Sequence, residues 1–270
     1  MPFQTDHGTA KLNDGRVYVG QLDGEFNGQG EMTWPNGDKF RGHFLHGERT
    51  GHGTVHLKDG ITYEGNWLVS KYHGQGEMTW PNGDKFKGDF LHGERTGHGT
   101  VHLKDDITYD GNWLDNKYHG HGVMTWPNGN VYDGEFLHGE RTGHGKMTWP
   151  SGDTFEGAFI NGIRTGYGTY IWNGGGETFQ GEYVNELYEG KGKYTWENGE
   201  TYEGEWVAGK YHGKGVFVSA DGSHEHRIYE NDVLKMKRKM KRKREDTDEG
   251  ATQMQIYPRH RMRLRSSGLL

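Results

Sequence analysis

Histidine is the residue type in this chain that most invites a chemical role. The 270 residues include 17 histidines, and a neutral imidazole is a common ligand of zinc and other transition metals. His98, His121 and His144 follow one another at intervals of 23 residues. If each interval is one structural repeat of two strands, equivalent imidazoles are about 10 Å apart, whereas the ligands of one zinc ion all lie about 2.1 Å from the metal. The sequence therefore predicts neither a metal site nor a bound cofactor.

Glycine-rich and acidic stretches do not predict an active site either. The segments GKGKYTW from Gly190 and GKGVF from Gly213 lack the Lys-Ser or Lys-Thr pair with which a phosphate-binding loop opens a helix. The carboxylates of Glu64, Asp110 and Asp133 recur at equivalent places, as expected for a solvated row on an exposed sheet. Catalysis needs one constellation of groups in different environments, and repetition supplies many identical ones. We expect no enzyme activity, no catalytic residue and no small-molecule substrate.

Composition favours a flat or extended architecture over a thick globular core. Only 30% of the residues are apolar, while 13% are aromatic and 47 residues are glycine. The chain has no cysteine, which excludes disulfides and thiolate metal sites. No segment contains the roughly 20 apolar residues that cross a bilayer, and the N-terminal residues do not resemble an export signal. We expect a soluble protein that is not secreted and that resides in the cytoplasm, in the nucleus or at a membrane surface.

An internal repeat determines which elements position these residues. The segment MTWPNGDKF at residues 32–40 returns letter for letter at residues 78–86, and related segments mark nine repeats of 22 to 24 residues. Each repeat begins at the aromatic residue of an aromatic-x-Gly triplet. These residues are Tyr18, Phe40, Tyr63, Phe86, Tyr109, Tyr132, Phe155, Phe179 and Tyr202.

Within a repeat the side chains alternate with the period of a β-strand. Tyr63, Gly65 and Trp67 point to one side of the chain, and the residues between them point to the other. The alternation returns from Gly74 onward, after a short break. Because two such runs separated by turn residues form a β-hairpin, each repeat is predicted to be one hairpin. The fold class is then all-β, a single-layer antiparallel sheet of tandem hairpins.

Glycine and proline indicate where the turns and the core lie. In the PNG segment at residues 81–83, between successive repeats, proline restricts φ and Asn-Gly accepts positive φ. Gly65, Gly74 and Gly76 have counterparts in all nine repeats. On the apolar face such glycines leave flat sites over which a Tyr or Trp ring can lie. The aromatic rings are therefore the predicted core.

The repeat resembles a known family. The segment YEGEWVAGKYHGKG from Tyr202 matches in full the pattern Tyr-x-Gly-x-Trp-x-x-Gly-x-x-His-Gly-x-Gly of the MORN (membrane occupation and recognition nexus) repeat. The resemblance extends from Tyr18 to about Gly222, and it implies an elongated, twisted, solenoid-like sheet of hairpins. Proteins similar to this chain include junctophilins and cytoskeletal scaffolds of parasites. The resemblance therefore implies a scaffold or adaptor that binds protein partners, or itself as a homodimer.

Four segments are predicted along the chain. They are an N-terminal segment with a half repeat at 1–17, the nine-repeat array at 18–224, a degraded repeat with a basic helix at 225–248, and a disordered basic tail at 249–270. The helix is expected to begin at Asn231 or Asp232 and to place Val233, Met236 and Met240 on one face. Such a helix could cap the open end of the array, or a dimer contact could protect that edge instead.

The aromatic face has a structural and a functional interpretation, and the two are compatible. The rings pack on one another and on glycines as the core of a single-layer sheet. In addition, the sheet can curl into a groove whose aromatic floor accepts an extended segment or a helix of a protein partner. The candidates for this groove are Trp67, Trp80, Phe90, Trp113, Trp126, Phe136, Trp149, Trp172, Trp196 and Trp206.

The net charge of −6 conceals a charge asymmetry. Residues 227–270 contain 13 Lys and Arg against six Asp and Glu, a net charge of +7, and the preceding residues contain 19 against 32, a net charge of −13. Anionic lipid or nucleic acid is therefore expected only at the basic tail, which could equally be a nuclear import signal or a solvated segment. The alternative to a scaffold is a peripheral membrane protein that binds phosphoinositides through this tail. The basic targeting candidates are Lys235, Lys237, Arg238, Lys239, Lys241, Arg242, Lys243 and Arg244.

Overall fold

The protein consists of β-strands and turns throughout the part of the chain that the structure describes. The structure is a computed structural model that describes residues 6–172 and 175–240. The chain divides between Pro150 and Ser151 into two compact units. The N-terminal unit contains β1 (Asp6–Lys11), β2 (Val17–Leu22), β3 (Phe26–Thr33), β4 (Lys39–Leu45), β5 (Glu48–His56), β6 (Thr62–Leu68), β7 (Lys71–Thr79), β8 (Lys85–Leu91), β9 (Glu94–His102), β10 (Thr108–Leu114), β11 (Lys117–Thr125), β12 (Val131–Leu137) and β13 (Glu140–Thr148).

The C-terminal unit repeats the same plan. It contains β14 (Thr154–Ile160), β15 (Ile163–Trp172), β16 (Glu177–Val184), β17 (Leu187–Thr195), β18 (Thr201–Val207), β19 (Lys210–Val218), β20 (His224–Glu230) and β21 (Val233–Lys239). Within each unit every strand pairs antiparallel with the next strand of the chain. The prediction of an antiparallel sheet of tandem hairpins is therefore confirmed.

The predicted alternation of side chains is present in the strands. In β6, Tyr63, Gly65 and Trp67 are buried, while the residues between them are exposed. Tyr63 has no solvent-exposed surface, and its ring lies at 87° to the ring of Trp67 with centroids 5.3 Å apart. Aromatic rings prefer such edge-to-face contacts to a face-to-face stack. The core of each unit is thus a layer of aromatic rings on one face of its strands.

Strand glycines allow these rings to lie flat on the backbone. Gly65 stands opposite Gly76 in the pairing of β6 with β7. A Cβ atom on Gly65 would lie 2.5 Å from the Cα atom of Gly76, and one on Gly76 would lie 2.4 Å from the ring of Tyr63. No real Cβ atom is accommodated at such distances, so the predicted cover of glycine by aromatic rings is confirmed at these two positions.

Gly74 has a different role from the one predicted. Its φ is +60°, which favours glycine. Gly65 pairs with Gly76 and Trp67 pairs with Tyr72, so three residues of β7 oppose one residue of β6. Gly74 is the middle residue of this bulge. The prediction that it offers a flat site to a ring is wrong, because an irregular register requires the left-handed conformation here.

Two kinds of turn connect the strands. Inside a repeat the turn has two residues, such as Val69 and Ser70 with φ of 48° and 60°, and positive φ at both positions is the signature of a type I′ turn. Between repeats the PNG segment at 81–83 forms a three-residue loop, in which the Gly83 N–H donates to the Trp80 carbonyl oxygen at 2.9 Å. Gly83 has positive φ as predicted. Asn82 does not, because a three-residue loop needs the left-handed conformation only at its last residue. The side-chain oxygen of Asn82 accepts the N–H of Asp84 at 3.1 Å.

The turn at Val69 yields a prediction on stability. A β-branched residue is poorly suited to the left-handed conformation, which asparagine adopts readily, and Val69 is 64% exposed, so its side chain contributes little packing. Val69→Asn is expected to raise the free energy of unfolding by about 1 kcal/mol. The reverse change, Asn161→Val at the equivalent turn position with φ of 49°, is expected to lower it by a similar amount. Chemical denaturation measures both, and a destabilised Val69→Asn variant would contradict the prediction.

The predicted helix at the C-terminal end of the array is wrong within the described residues. Asn231 and Asp232 have φ of 49° and 67° and form a two-residue turn, and β21 follows, with Met236 opposite Ile228 of β20. Asn and Asp fit both a helix N-cap and a type I′ turn. Here the turn forms, because pairing with β20 gives the backbone N–H and C=O groups of this segment hydrogen-bond partners. An isolated helix of about ten residues is only marginally stable in water. Residues 241–248 of the predicted helix lie outside the described residues, and the four-segment division of the chain stays a prediction.

Candidate partner-binding face

Half of the predicted groove residues belong to the buried core. They are 0 to 5% exposed and lie on the first strand of their repeats: Trp67, Phe90, Trp113, Phe136 and Trp206. The indole N–H of Trp67 donates to the carbonyl oxygen of Gly53 at 3.0 Å, and the other two tryptophans make the same bond to the strand before them. These side chains present almost no surface to a partner.

The other predicted groove residues are half-buried and therefore reach the surface. They lie at or directly after the end of the second strand of their repeats: Trp80, Trp126, Trp149, Trp172 and Trp196. Trp34 has the same place in the first repeat. A partner can contact these half-buried tryptophans without moving the buried aromatic side chains of the core.

Sequence reasoning passed over a set of arginines that belong to this face. The guanidinium carbon of Arg49 lies 4.4 Å from the ring centroid of Trp67 and 5.5 Å from that of Trp34. Arg95 has the same relation to Trp113 and Trp80, at 4.6 and 5.6 Å. The available signal was the segment ERTG, which recurs at residues 48–51, 94–97 and 140–143. The guanidinium groups of Arg49 and Arg95 therefore each contact one buried and one half-buried tryptophan through cation–π contacts, and that of Arg141 contacts the rings of Trp126 and Tyr132.

These arginines are held in place and stay charged. The Arg49 guanidinium donates to the carbonyl oxygen of Ser70 at 2.9 Å, and that of Arg95 donates to the carbonyl oxygen of Asn116 at 3.1 Å. Burial lowers the pKa of both guanidinium groups from its ordinary value. Arginine nevertheless remains protonated at neutral pH. The aromatic face thus carries fixed positive charges between its rings, although the array is acidic as a whole.

A depression of about 420 Å³ opens on this face beside Arg49. It is lined by aromatic rings and by charged groups, among them Trp34, Trp67, Tyr72, Asp38 and Arg49. This volume lies within the range of about 300–1,000 Å³ for sites that enclose small ligands. The depression is therefore large enough for one or two side chains of a bound segment.

The opposite face of the sheet carries the recurring histidines and carboxylates, such as His98 and Asp110. His98 and Asp110 form an exposed pair at 3.1 Å, and so do His121 and Asp133. Within residues 6–172 and 175–240 no three histidine, aspartate or glutamate side chains form a group that could hold a metal ion. A second depression of about 480 Å³ on this face is lined largely by hydroxyl, amide and carboxylate groups beside His52.

The basic targeting candidates lie only in part within the described residues. Lys235, Lys237, Arg238 and Lys239 belong to β21, and Lys241, Arg242, Lys243 and Arg244 lie outside the described residues. Lys237 and Arg238 are neighbours in a strand and so point to opposite faces of the sheet. Lys235 forms an ion pair with Glu230 at 2.8 Å. In the described part of the chain, no helix is long and apolar enough to span a bilayer.

Comparison with known proteins identifies the repeat family, but it finds no related curated protein. The MORN repeat family model matches residues 22–39, 40–62, 63–85, 86–106, 109–131, 132–154, 155–177, 179–201 and 202–224. No curated protein sequence matches the chain.

Several solved structures are similar in a limited sense. The TCP10 domain of Danio rerio CPAP in complex with a STIL peptide is 12% identical with a TM-score of 0.41, over 87% of this chain and 100% of that chain. The SAS-4 TCP domain of Drosophila melanogaster with a proline-rich motif of Ana2 is 12% identical with a TM-score of 0.30, over 82% and 88%. A virginiamycin B lyase from Staphylococcus aureus is 10% identical with a TM-score of 0.16, over 83% and 84%. Likenesses this weak carry no argument about function.

Proposed function

Because the chain belongs to the MORN repeat family, we propose that it is a non-catalytic scaffold that binds an extended protein segment across its aromatic face. MORN repeats are a non-enzymatic repeat type and commonly mediate protein interactions. The observation that carries the proposal is the depression beside Arg49, where aromatic rings and fixed charges line one concave surface.

The chemistry of the depression indicates what the bound segment contains. Trp34 and Tyr72 offer apolar surface, and Arg49 offers a positive charge. The nearby carboxylate of Asp38 already accepts the Lys58 N–H and the Asn36 amide. Large apolar side chains in desolvated pockets supply most of the affinity of protein interfaces, and arginine favours carboxylate partners. We infer a segment with an apolar anchor and an acidic residue close to it.

The repeat also determines the spacing of the anchors. The pair of Trp80 and Arg95 follows the pair of Trp34 and Arg49 after 46 residues, which is two hairpins or four strands. Strands about 4.8 Å apart place the two pairs about 19 Å apart. An extended segment advances about 3.3 Å per residue, so its apolar anchors are expected about six residues apart.

Selection of peptides tests the proposal without knowledge of the natural partner. A display library of random 16-residue peptides would be selected on the full chain, and the affinity of enriched peptides would be measured by fluorescence anisotropy. A Trp34→Ala/Trp80→Ala variant is expected to bind them at least 10-fold more weakly, because it removes an anchor surface from both positions.

A matched variant of the opposite face provides the control. His52 and His98 are exposed there at equivalent places, two repeats apart, and the His52→Ala/His98→Ala variant is expected to bind as the unchanged chain does. Circular dichroism would show that both variants are folded. Enriched peptides that bind the tryptophan variant with unchanged affinity would refute the assignment of this face.

The basic tail is proposed to localise the scaffold in the cytoplasm, at the nucleus or at an anionic membrane. The alternative function, a peripheral phosphoinositide-binding protein, rests on the same charges. Because β21 is part of the sheet, a truncation that tests the tail should begin after Met240. Sedimentation with phosphatidylserine vesicles distinguishes the scaffold from the lipid-binding protein, since the lipid-binding alternative expects the full chain to bind and the truncated chain to lose binding. A truncated chain that still binds at physiological salt would show that the array itself contacts lipid.

A further inference from the structure

A stripe of exposed leucines runs along the face of the N-terminal unit that is opposite the aromatic rings. Each leucine is the last residue of the first strand in its hairpin, directly before the two-residue turn. The five side chains are 40 to 54% exposed: Leu45, Leu68, Leu91, Leu114 and Leu137. Leu68 illustrates their orientation, because it follows the buried Trp67 and therefore points to the other side. Large exposed apolar side chains in a row mark a surface that associates.

Charged residues of alternating sign accompany the leucines. Directly opposite each leucine, across its turn, stands one exposed charged residue. In chain order these are Glu48, Lys71, Glu94, Lys117 and Glu140. One hairpin advances the sheet by about 10 Å, so the signs alternate at that interval. The hydroxyl group of Ser70 donates to the Glu48 carboxylate and holds it at this edge.

We propose that this leucine stripe binds the same stripe of a second copy of the chain in antiparallel orientation. A second copy of the sheet repeats its leucines at the same interval of about 10 Å. A two-fold axis between the hairpins of Lys71 and Glu94 places each of these residues opposite the other in the second copy. The same axis places Glu48 opposite Lys117. A self-complementary surface of this kind is what a two-fold interface requires.

The charges also select among the possible alignments. An axis between the hairpins of Glu94 and Lys117 is equally complementary, because it also places Lys71 opposite Glu140. An axis that passes through a single hairpin places like charges together along the whole stripe, which is unfavourable. The interface leaves the aromatic face free, so it does not depend on the proposed peptide binding.

Charge reversal on the stripe tests the proposal with the full chain. Lys71→Glu with Lys117→Glu makes all five charged positions acidic, and Glu48→Lys with Glu94→Lys and Glu140→Lys makes all five basic. Sedimentation velocity at micromolar concentration is expected to show a dimer for the unchanged chain and a monomer for each variant. The dissociation constant should rise about 100-fold or more. Mixing the two variants should restore a dimer that contains one chain of each.

The restored heterodimer shows that both variants are folded and that the stripe is the interface. Lys39→Glu with Lys85→Glu is the matched control, because it makes the same charge change on exposed residues at the start of β4 and β8, at the other end of these strands. This control is expected to stay dimeric. A monomeric unchanged chain, or an all-acidic variant that dimerises as tightly as the unchanged chain, would overturn the proposal.

Discussion

Replacing Trp67 with alanine is expected to lower the free energy of unfolding by about 3–5 kcal/mol, the usual cost of removing a fully buried tryptophan. Trp67 is 4% exposed, and its ring centroid lies 5.0 Å from that of Phe40 and 4.8 Å from that of Tyr72. Its loss also leaves the Arg49 guanidinium without its nearest ring and the Gly53 carbonyl oxygen without its indole donor. Chemical denaturation monitored by circular dichroism measures the effect.

The chain itself supplies the control for this prediction. Phe44 and Phe90 occupy the equivalent positions in the repeats before and after Trp67, and both are 3% exposed. Trp67→Phe is therefore expected to cost only about 1–2 kcal/mol, mainly for the lost hydrogen bond and the smaller ring. Equal losses for Trp67→Ala and Trp67→Phe would contradict the view that the position needs an aromatic ring.

Replacing Gly181 with alanine is expected to lower the free energy of unfolding by about 3 kcal/mol, near the upper end of the usual cost of overpacking. A Cβ atom there would lie 2.7 Å from the Cα atom of Gly192 and 2.8 Å from both the Lys191 carbonyl oxygen and the ring of Phe179. Two of these neighbours are backbone atoms, so the strands must separate to admit the methyl group. Denaturation should show the loss, and hydrogen exchange should accelerate in β15, β16 and β17.

A second glycine next to the same strand tests whether the effect is steric. Gly176 directly precedes β16, its φ lies outside the left-handed region, and a Cβ atom there would meet nothing closer than the Glu197 side chain at 3.7 Å. Gly176→Ala is therefore expected to change the free energy of unfolding by less than about 0.5 kcal/mol. If Gly181→Ala were equally mild, the glycines of the aromatic face would not be required for close packing.

Much of the fold could be predicted because its rules are local. The alternation around Tyr63 and the PNG segments predict strands and turns from neighbouring residues alone, and the repeat extends the prediction along the array. The glycines show the limit of this reasoning. Gly74 and Gly76 look alike in the sequence, but only Gly76 lies under a ring. Gly74 lies in a bulge that exists because of the register between β6 and β7.

The candidate site was predicted less completely, because its members meet only across strands. Trp67 and Trp80 were equivalent candidates in the sequence, and the structure buries the first and leaves the second half-exposed. The contribution of Arg49 was missed, since its contacts with tryptophans of two other strands follow from strand pairing. The helix predicted from Asn231 failed for a related reason. The residues after it resemble a short amphipathic helix, and only the neighbouring β20 makes a strand the better solution.

By itself, the sequence determined that this protein is an array of β-hairpins with an aromatic face. It also determined that the hairpins are MORN repeats and that an acidic array is followed by a basic tail. These properties depend on period-two alternation, turn residues and composition, which act within a few positions of the chain. Only the tertiary structure decided which tryptophans reach the surface, where arginines stack and how leucines and alternating charges line one edge. Those features join residues of different hairpins, and hydrogen-bonded register brings them together.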